Sequence, residues 1–362
     1  MIYVVVCLLS IGIYCLIAPQ LNYAEHGISH QDEPVGVSRT KVAVLCSAVP
    51  VAFISAVRYG VGTDYFNTYI GGYWRVLSGW KGDEFEYGYS LLLHVLFKVS
   101  PQNPNALIIA TSVIFVGFTY LGILRSSVNI PLSIILFFVS RYYFIGMNGV
   151  RQFMAISIML FSLKYVIDQK LIKYIICAVL AFGFHYSIII FVPIYFFTNF
   201  SVSRKILPLV IACDFALVAG GYRILYSFIG NTKYYRLTQH FGVAGRNFTL
   251  MMIFINFVIL VLYYAVYSKL KDDHEYRLFL NIQLISFLLT LLLRTIPQIE
   301  RVYWTFSFPI IIGLPYIISK YPNRIIRWVI ECIIVVLLGT YCFYDIAILH
   351  DHSVLPYNWI LH

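Results

Sequence analysis

Charged side chains are scarce in this chain of 362 residues: only 12% are Asp, Glu, Lys or Arg, about half the roughly 25% carried by a soluble domain. With 60% apolar residues and a mean hydropathy of +0.80, too little polar surface remains for a globular fold in water. Cysteine chemistry is missing too. The seven cysteines (7, 15, 46, 177, 213, 332 and 342) all sit inside apolar runs and none forms a CxxC pair, so neither a disulfide framework nor a metal site is indicated. There is no GxxxxGK[ST] loop, HExxH, GxSxG or DxD pair. That argues against an energy-coupled pump and against the usual hydrolases. The first residues, MIYVVVCLLSIGIYCLIAP, lack a basic leader and a small-residue cleavage site, so they are expected to stay as a span.

What is present is a succession of apolar runs that do not alternate, which excludes a transmembrane barrel and leaves an all-α, polytopic helical membrane bundle. Candidate spans fall at about 2–18, 42–57, 106–124, 130–147, 151–167, 173–185, 187–198, 206–222, 248–268, 278–295, 302–319 and 326–346, about 12 in all. Ser90–Val99 is too short to cross and reads as a half-helix or an interfacial segment. Residues 1–362 are expected to form a single membrane domain.

Lysine supplies the orientation. Connections near 164–174, 203–206, 269–277 and 320–327 each hold two or more Lys/Arg. Placing them in the cytoplasm puts both chain ends, the 58–105 region and the 223–247 loop outside. Arginine is distributed differently: Arg58, Arg75, Arg141, Arg151, Arg223, Arg236, Arg246, Arg294 and Arg301 all fall at outer positions. Guanidinium groups bind phosphate bidentately where lysine is a point charge, so the +10 formal charge points to a phosphate or pyrophosphate ligand at the outer boundary. The alternative for any one arginine is snorkelling to lipid headgroups.

The charged stretch Arg58–Tyr89, RYGVGTDYFNTYIGGYWRVLSGWKGDEFEYGY, stands apart from the apolar runs around it. Gly60 and Gly62 permit a tight turn presenting Asp64 as the cap of a helix through Tyr73; Asp64 paired with Arg58 as a plain cap is the simpler reading. Glu86 sits beside the half-helix. Asn148-Gly-Val-Arg151-Gln152 joins two spans, and Arg151 and Gln152 open the second, where the helix dipole also favours an anion. His185, in AFGFHYS, is a titratable group at the boundary, with a structural, hydrogen-bonded histidine as its alternative. Arg294, Gln298, Glu300 and Arg301 gather around Pro297, and Asp214 is the one acid in mid-span.

In this order the motifs resemble the EpsG family of polysaccharide-biosynthesis membrane proteins, which look like Wzy-type polymerases. The matching residues are Arg58-x3-Gly62-Thr-Asp64-x4-Tyr69, Glu86-Tyr-Gly88-Tyr89, Asn148-x2-Arg151-Gln152 with Ala155, Ala181-x3-His185-Tyr-Ser187, Arg301 before Pro309 and Pro315, and Leu355-Pro356-Tyr357. The resemblance implies a GT-C-like architecture in the bacterial cytoplasmic (inner) membrane. It also implies transfer of a glycan from undecaprenyl pyrophosphate to a lipid-linked repeat unit at the outer, periplasmic face. No cofactor, metal or nucleic acid is expected; membrane lipid and a chain-length regulator are the expected partners. Arg58, Arg151, Gln152, Arg294 and Arg301 would bind substrate, while Asp64, Glu86 and His185 compete as base. The rival classes are an O-antigen ligase, a lipid-linked oligosaccharide flippase and an acyltransferase.

Overall fold

Local sequence signals set the helix boundaries in the computed structural model, which describes residues 1–18, 34–79, 85–200, 202–216, 246–293 and 299–359. Asn129 accepts from the Leu132 amide at 3.2 Å and Pro131 follows it, so α6 begins at Ile130 (Ile130–Val139). Asp273 caps His274–Leu292 through the amides of Glu275 and Tyr276, with Glu275 complementing the dipole of the first turn. Among the described residues there are helices and one isolated antiparallel bridge, Arg58 to Trp359, but no strand.

Among the described residues, five helices are long and apolar enough to cross a membrane: Arg39–Ala56 in α2 (Pro34–Ala56), α5 (Asn105–Ser126), α8 (Val150–Ile167), His274–Leu292 and Arg324–Ile348. Counting two bent pairs as single spans gives up to seven, below the dozen read from the apolar runs. The bends account for part of the difference. The expected span 130–147 breaks by 54° between α6 and α7 (Tyr142–Asn148), where Arg141 takes a left-handed φ of 70°. The expected span 302–319 breaks by 41° at Pro309, between Ile299–Ser307 and Ile310–Ser319. Other runs form shorter apolar helices, among them α1 (Ile2–Ile17) and α9 (Leu171–Phe184). Tyr186–Thr198 is a 3-10 helix containing Pro193; at a rise of roughly 2.0 Å per residue its length is about 26 Å. Ser90–Val99 is helical, within α4 (Tyr87–Val99).

The described chain divides into two compact units. The first comprises Met1–Lys164, Lys173–Tyr186 and Leu338–His362; the second comprises Tyr165–Ile172 and Ser187–Leu337. In the first, α1 packs on α2 and α2 on α5. Ser10 Oγ lies 2.7 Å from both Ser47 O and Tyr120 Oη, and Ser55 donates to Ser112 at 2.9 Å. Such bonds between apolar helices satisfy polar groups that lipid cannot. In the second, Asn256 Nδ2 donates to Tyr303 Oη at 2.9 Å and Gln283 Nε2 to Asn256 Oδ1 at 3.1 Å. Asn281 donates to the carbonyls of Phe197 and Phe200.

Arg141, expected among the outward arginines, is instead buried against Asp345, with its guanidinium 4.3 Å from the Tyr341 ring centre. Both ions are almost fully enclosed, and removing one partner of such a pair leaves the other charge uncompensated. Asp345→Ala is therefore expected to cost about 3–5 kcal/mol of stability. A thermal melt in detergent micelles checks this; an unaltered midpoint would mean that the pair bears no load.

Candidate functional site

The first unit brings three segments together at Glu86. The carboxylate stands at the N-cap of α4 without capping it by its side chain. Its Oε2 accepts from Arg151 Nη1, in the first turn of α8, and its Oε1 lies 2.8 Å from His185 Nδ1, just past the end of α9. The α8–α9 hairpin explains how residues 34 positions apart reach one place: Arg151 is at its entry and His185 at its exit. Gly88 and Gly183 allow α4 to approach. A Cβ built on Gly88 would lie 2.7 Å from the Gly183 carbonyl oxygen, a contact no side chain tolerates.

Glu86 has 6% of its side chain exposed, His185 13% and Arg151 25%, so the cluster is sheltered while its arginine remains partly open. The Arg151 guanidinium lies 4.8 Å from the Phe85 ring centre and 5.7 Å from that of Tyr89, within cation–π range. Burial by itself pushes the Glu86 carboxyl up, but the His185 hydrogen bond and the Arg151 charge more than offset it, and the group titrates below its ordinary value. Glu86 is therefore an anion at neutral pH. Its His185 partner donates from Nδ1, and in the neutral ring that tautomer carries its lone pair on Nε2.

A second constellation surrounds Asn148. Its Oδ1 accepts from Thr63 Oγ1 and the Asp64 amide, each at 3.0 Å; its carbonyl accepts from Tyr69 Oη, which in turn accepts from the Val150 amide at 3.0 Å. Gly60 and Gly62 adopt φ of 65° and 103°, the turn expected from the sequence. Asp64 occupies the cap position of a π-turn, Tyr65–Ile70, that leads into α3 (Gly71–Leu77), but its carboxylate makes no capping bond.

Arg58 is 1% exposed. Its guanidinium donates to Ser55 O, to Ser112 Oγ at 2.9 Å and to Met147 O at 3.1 Å, rather than to Asp64. An expected ligand-binding arginine is thus enclosed beneath the turn, where it satisfies backbone and hydroxyl oxygens. Gln152 is buried in α8. His94 bonds the Ser90 carbonyl of its own helix at 2.8 Å. Asp214 is buried in α10 (Leu207–Ala216) of the second unit, and Arg301 is exposed in the first turn of Ile299–Ser307 in that unit. Arg294 and the 223–247 loop up to residue 245 lie outside the described residues, as do positions 80–84.

Sequence reasoning picked out Leu355-Pro356-Tyr357 but missed the contribution of the residues just before them. His352 Nδ1 lies 3.1 Å from Asn148 Nδ2, Ser353 O accepts from the Gly62 amide, and Asp345 neutralises Arg141. The polar run His350-Asp351-His352 after the last apolar helix was the available signal.

A family model described as the EpsG family matches residues 41–359. No curated protein and no solved structure matches the chain.

Two outcomes follow from this geometry. Since the folded Glu86 titrates below 4.5, its contribution to stability is complete above that pH and is lost as the pH falls through the folded value. Glu86→Gln should therefore be less stable than the parent near neutral pH, with the gap closing below about pH 4.5. Gly88→Val should lower the thermal midpoint through an overpacking penalty of about 1–3 kcal/mol. If the valine variant melted like the parent, α4 and α9 would not be in contact.

Proposed function

The chain belongs to the EpsG family, and from that premise we propose that it is a polysaccharide polymerase that lengthens a glycan carried on undecaprenyl pyrophosphate. The observation that carries the reading is the Arg151–Glu86–His185 cluster: a partly open guanidinium and an oriented imidazole, held by one carboxylate. It sits at the start of α8, a helix of membrane-crossing length, which suits a substrate with a lipid tail and a water-soluble head.

In the proposed reaction a hydroxyl of the acceptor repeat unit attacks the anomeric carbon of the donor glycan. The new glycosidic C–O bond forms as the bond from that carbon to the pyrophosphate oxygen breaks, and the electron pair leaves on the pyrophosphate. The hydroxyl proton passes to His185 Nε2. Glu86 holds the ring by Nδ1 and compensates the imidazolium that forms, as the carboxylate of a Ser–His–Asp triad does. Arg151 faces the charge that develops on the leaving oxygen, where binding that strengthens in the transition state lowers the barrier. Of the three candidate bases, this assigns proton transfer to His185 and orientation to Glu86. Asp64 has no comparable partner among the described contacts. Arg58, enclosed as it is, is assigned to holding the Arg58–Asp64 turn in place.

The bacterial inner membrane and a periplasmic site belong to the same proposal. Lysine-rich connections on one side and the Arg151–His185 end on the other support it. A chain-length regulator is the proposed protein partner.

Cells depleted of the protein and complemented with Arg151→Ala or His185→Ala should lose the long-chain glycan ladder on a gel while retaining single repeat units. Activity is expected to fall by at least about a hundredfold for each. Arg151→Lys should recover little, since it cannot bind bidentately. Loss of every transferred sugar would instead indicate a ligase. Repeat units trapped on the cytoplasmic side would indicate a flippase.

A further inference from the structure

The segment after the last apolar helix has an unusual backbone. His350, His352 and Ser353 have φ of 54°, 59° and 50°, left-handed values that non-glycine residues adopt only when their surroundings compel them. Those surroundings are specific. Gly62 donates to Ser353 O at 3.1 Å, Tyr3 Oη to Val354 O at 2.9 Å, Tyr59 N to Asn358 O at 2.9 Å, and Tyr357 Oη to Ile54 O at 2.8 Å. The turn is thereby held against the Arg58–Asp64 segment, with His352 on Asn148.

Donor and acceptor rules fix the direction of that contact. The Asp64 amide can only donate, so the Asn148 atom it meets is the oxygen, and the atom facing His352 is the NH2 group. That group can only donate in turn, so His352 Nδ1 carries a lone pair and the ring proton is on Nε2. Nε2 faces Asp351 Oδ2 at 3.4 Å. Asn148 then connects His352, Thr63, Asp64 and, through Tyr69, the Val150 amide next to Arg151.

We propose that His352, neutral and protonated on Nε2, is a positioning residue that locks Asn148 and through it holds Asp64 and Arg151 in register. The proposal rests on Arg151, Glu86 and His185 forming the reacting site. Protonating Nδ1 would set an N–H against the Asn148 NH2, and the lock would open. The charged groups around His352 are Asp351 on its own turn, Arg141 at the start of α7 and Asp64 on the Arg58–Asp64 segment. Burial and the Arg141 charge disfavour the imidazolium, Asp351 and Asp64 favour it, and the balance leaves His352 below its ordinary 6.5. The lock is therefore closed above that pH and weakens as the pH drops beneath it.

The test uses the full chain in lipid nanodiscs, comparing the parent with His352→Gln and His352→Ala. Glutamine can present Oε1 to Asn148 without titrating. The first readout needs no substrate: amide hydrogen exchange of peptides covering residues 350–359 and 60–69. In the parent, protection corrected for intrinsic exchange should fall about tenfold between roughly pH 7.5 and pH 5.5; in His352→Gln it should not change. The second readout is the polymerisation rate with undecaprenyl-pyrophosphate-linked repeat units extracted from polymerase-deficient cells. His352→Gln should keep the parent rate near pH 7.5 to within about threefold and lose the acid limb, while His352→Ala should be at least about tenfold slower. The proposal is overturned if His352→Gln loses protection with pH as the parent does, or if His352→Ala leaves protection intact. A parent that does not polymerise would defeat the polymerase reading, and the exchange experiment would still decide the role of His352. Should His352→Ala fail to fold, the comparison of His352→Gln with the parent suffices.

Discussion

One carboxylate, Glu86, accepts from two cationic or titratable partners that arrive from different helices, and the geometry of the whole cluster rests on this double engagement. A sheltered charge without a partner is expensive, so Arg151 and Glu86 constrain each other. That constraint fixes the entry of α8 relative to the entry of α4. His185 completes the arrangement because α9 returns antiparallel to α8 and ends at the same level. The close Gly88–Gly183 approach then becomes intelligible: without it Glu86 would stand too far from the hairpin to serve both partners.

The arginines separate into two kinds. Arg58 and Arg141 are interior groups. One gathers carbonyl and hydroxyl oxygens beneath the Arg58–Asp64 turn, and the other neutralises a buried aspartate. Arg151 and Arg301 keep contact with solvent. These four arginines thus show two uses of one group. A planar guanidinium with five donors can satisfy several buried acceptors at once, and it can also bind an anion in a bidentate manner. Sequence position does not distinguish these uses, because both need an arginine just beyond an apolar run.

Asn148 illustrates how a modest residue comes to matter. In a helical-hairpin turn an asparagine is unremarkable. Here its amide and carbonyl tie the Arg58–Asp64 segment, the start of α8 and the C-terminal turn, three pieces that share no sequence proximity. The left-handed His350, His352 and Ser353 are the conformational expense of bringing that last piece into place.

The amino-acid sequence by itself determined the helical membrane class, the short helical segment at Ser90–Val99, the Gly60/Gly62 turn and the family. Each of these is written in local quantities: hydropathy over a window, glycine where φ is positive, and short motifs in order. It also singled out Arg151, Glu86 and His185 as separate candidates. Only the tertiary structure decided that these three meet, that Arg58 is enclosed, and that Asp345 and His352 take part at all. The physical reason is that pairing and burial depend on which helices become neighbours, and an apolar run carries little information about its neighbour in a bundle where every outer face is greasy. The bends at Arg141 and Pro309 show the same limit. Hydropathy sees one continuous run in each place, whereas the break at Arg141 goes with a left-handed dihedral and the Asp345 ion pair, and the one at Pro309 with the proline itself.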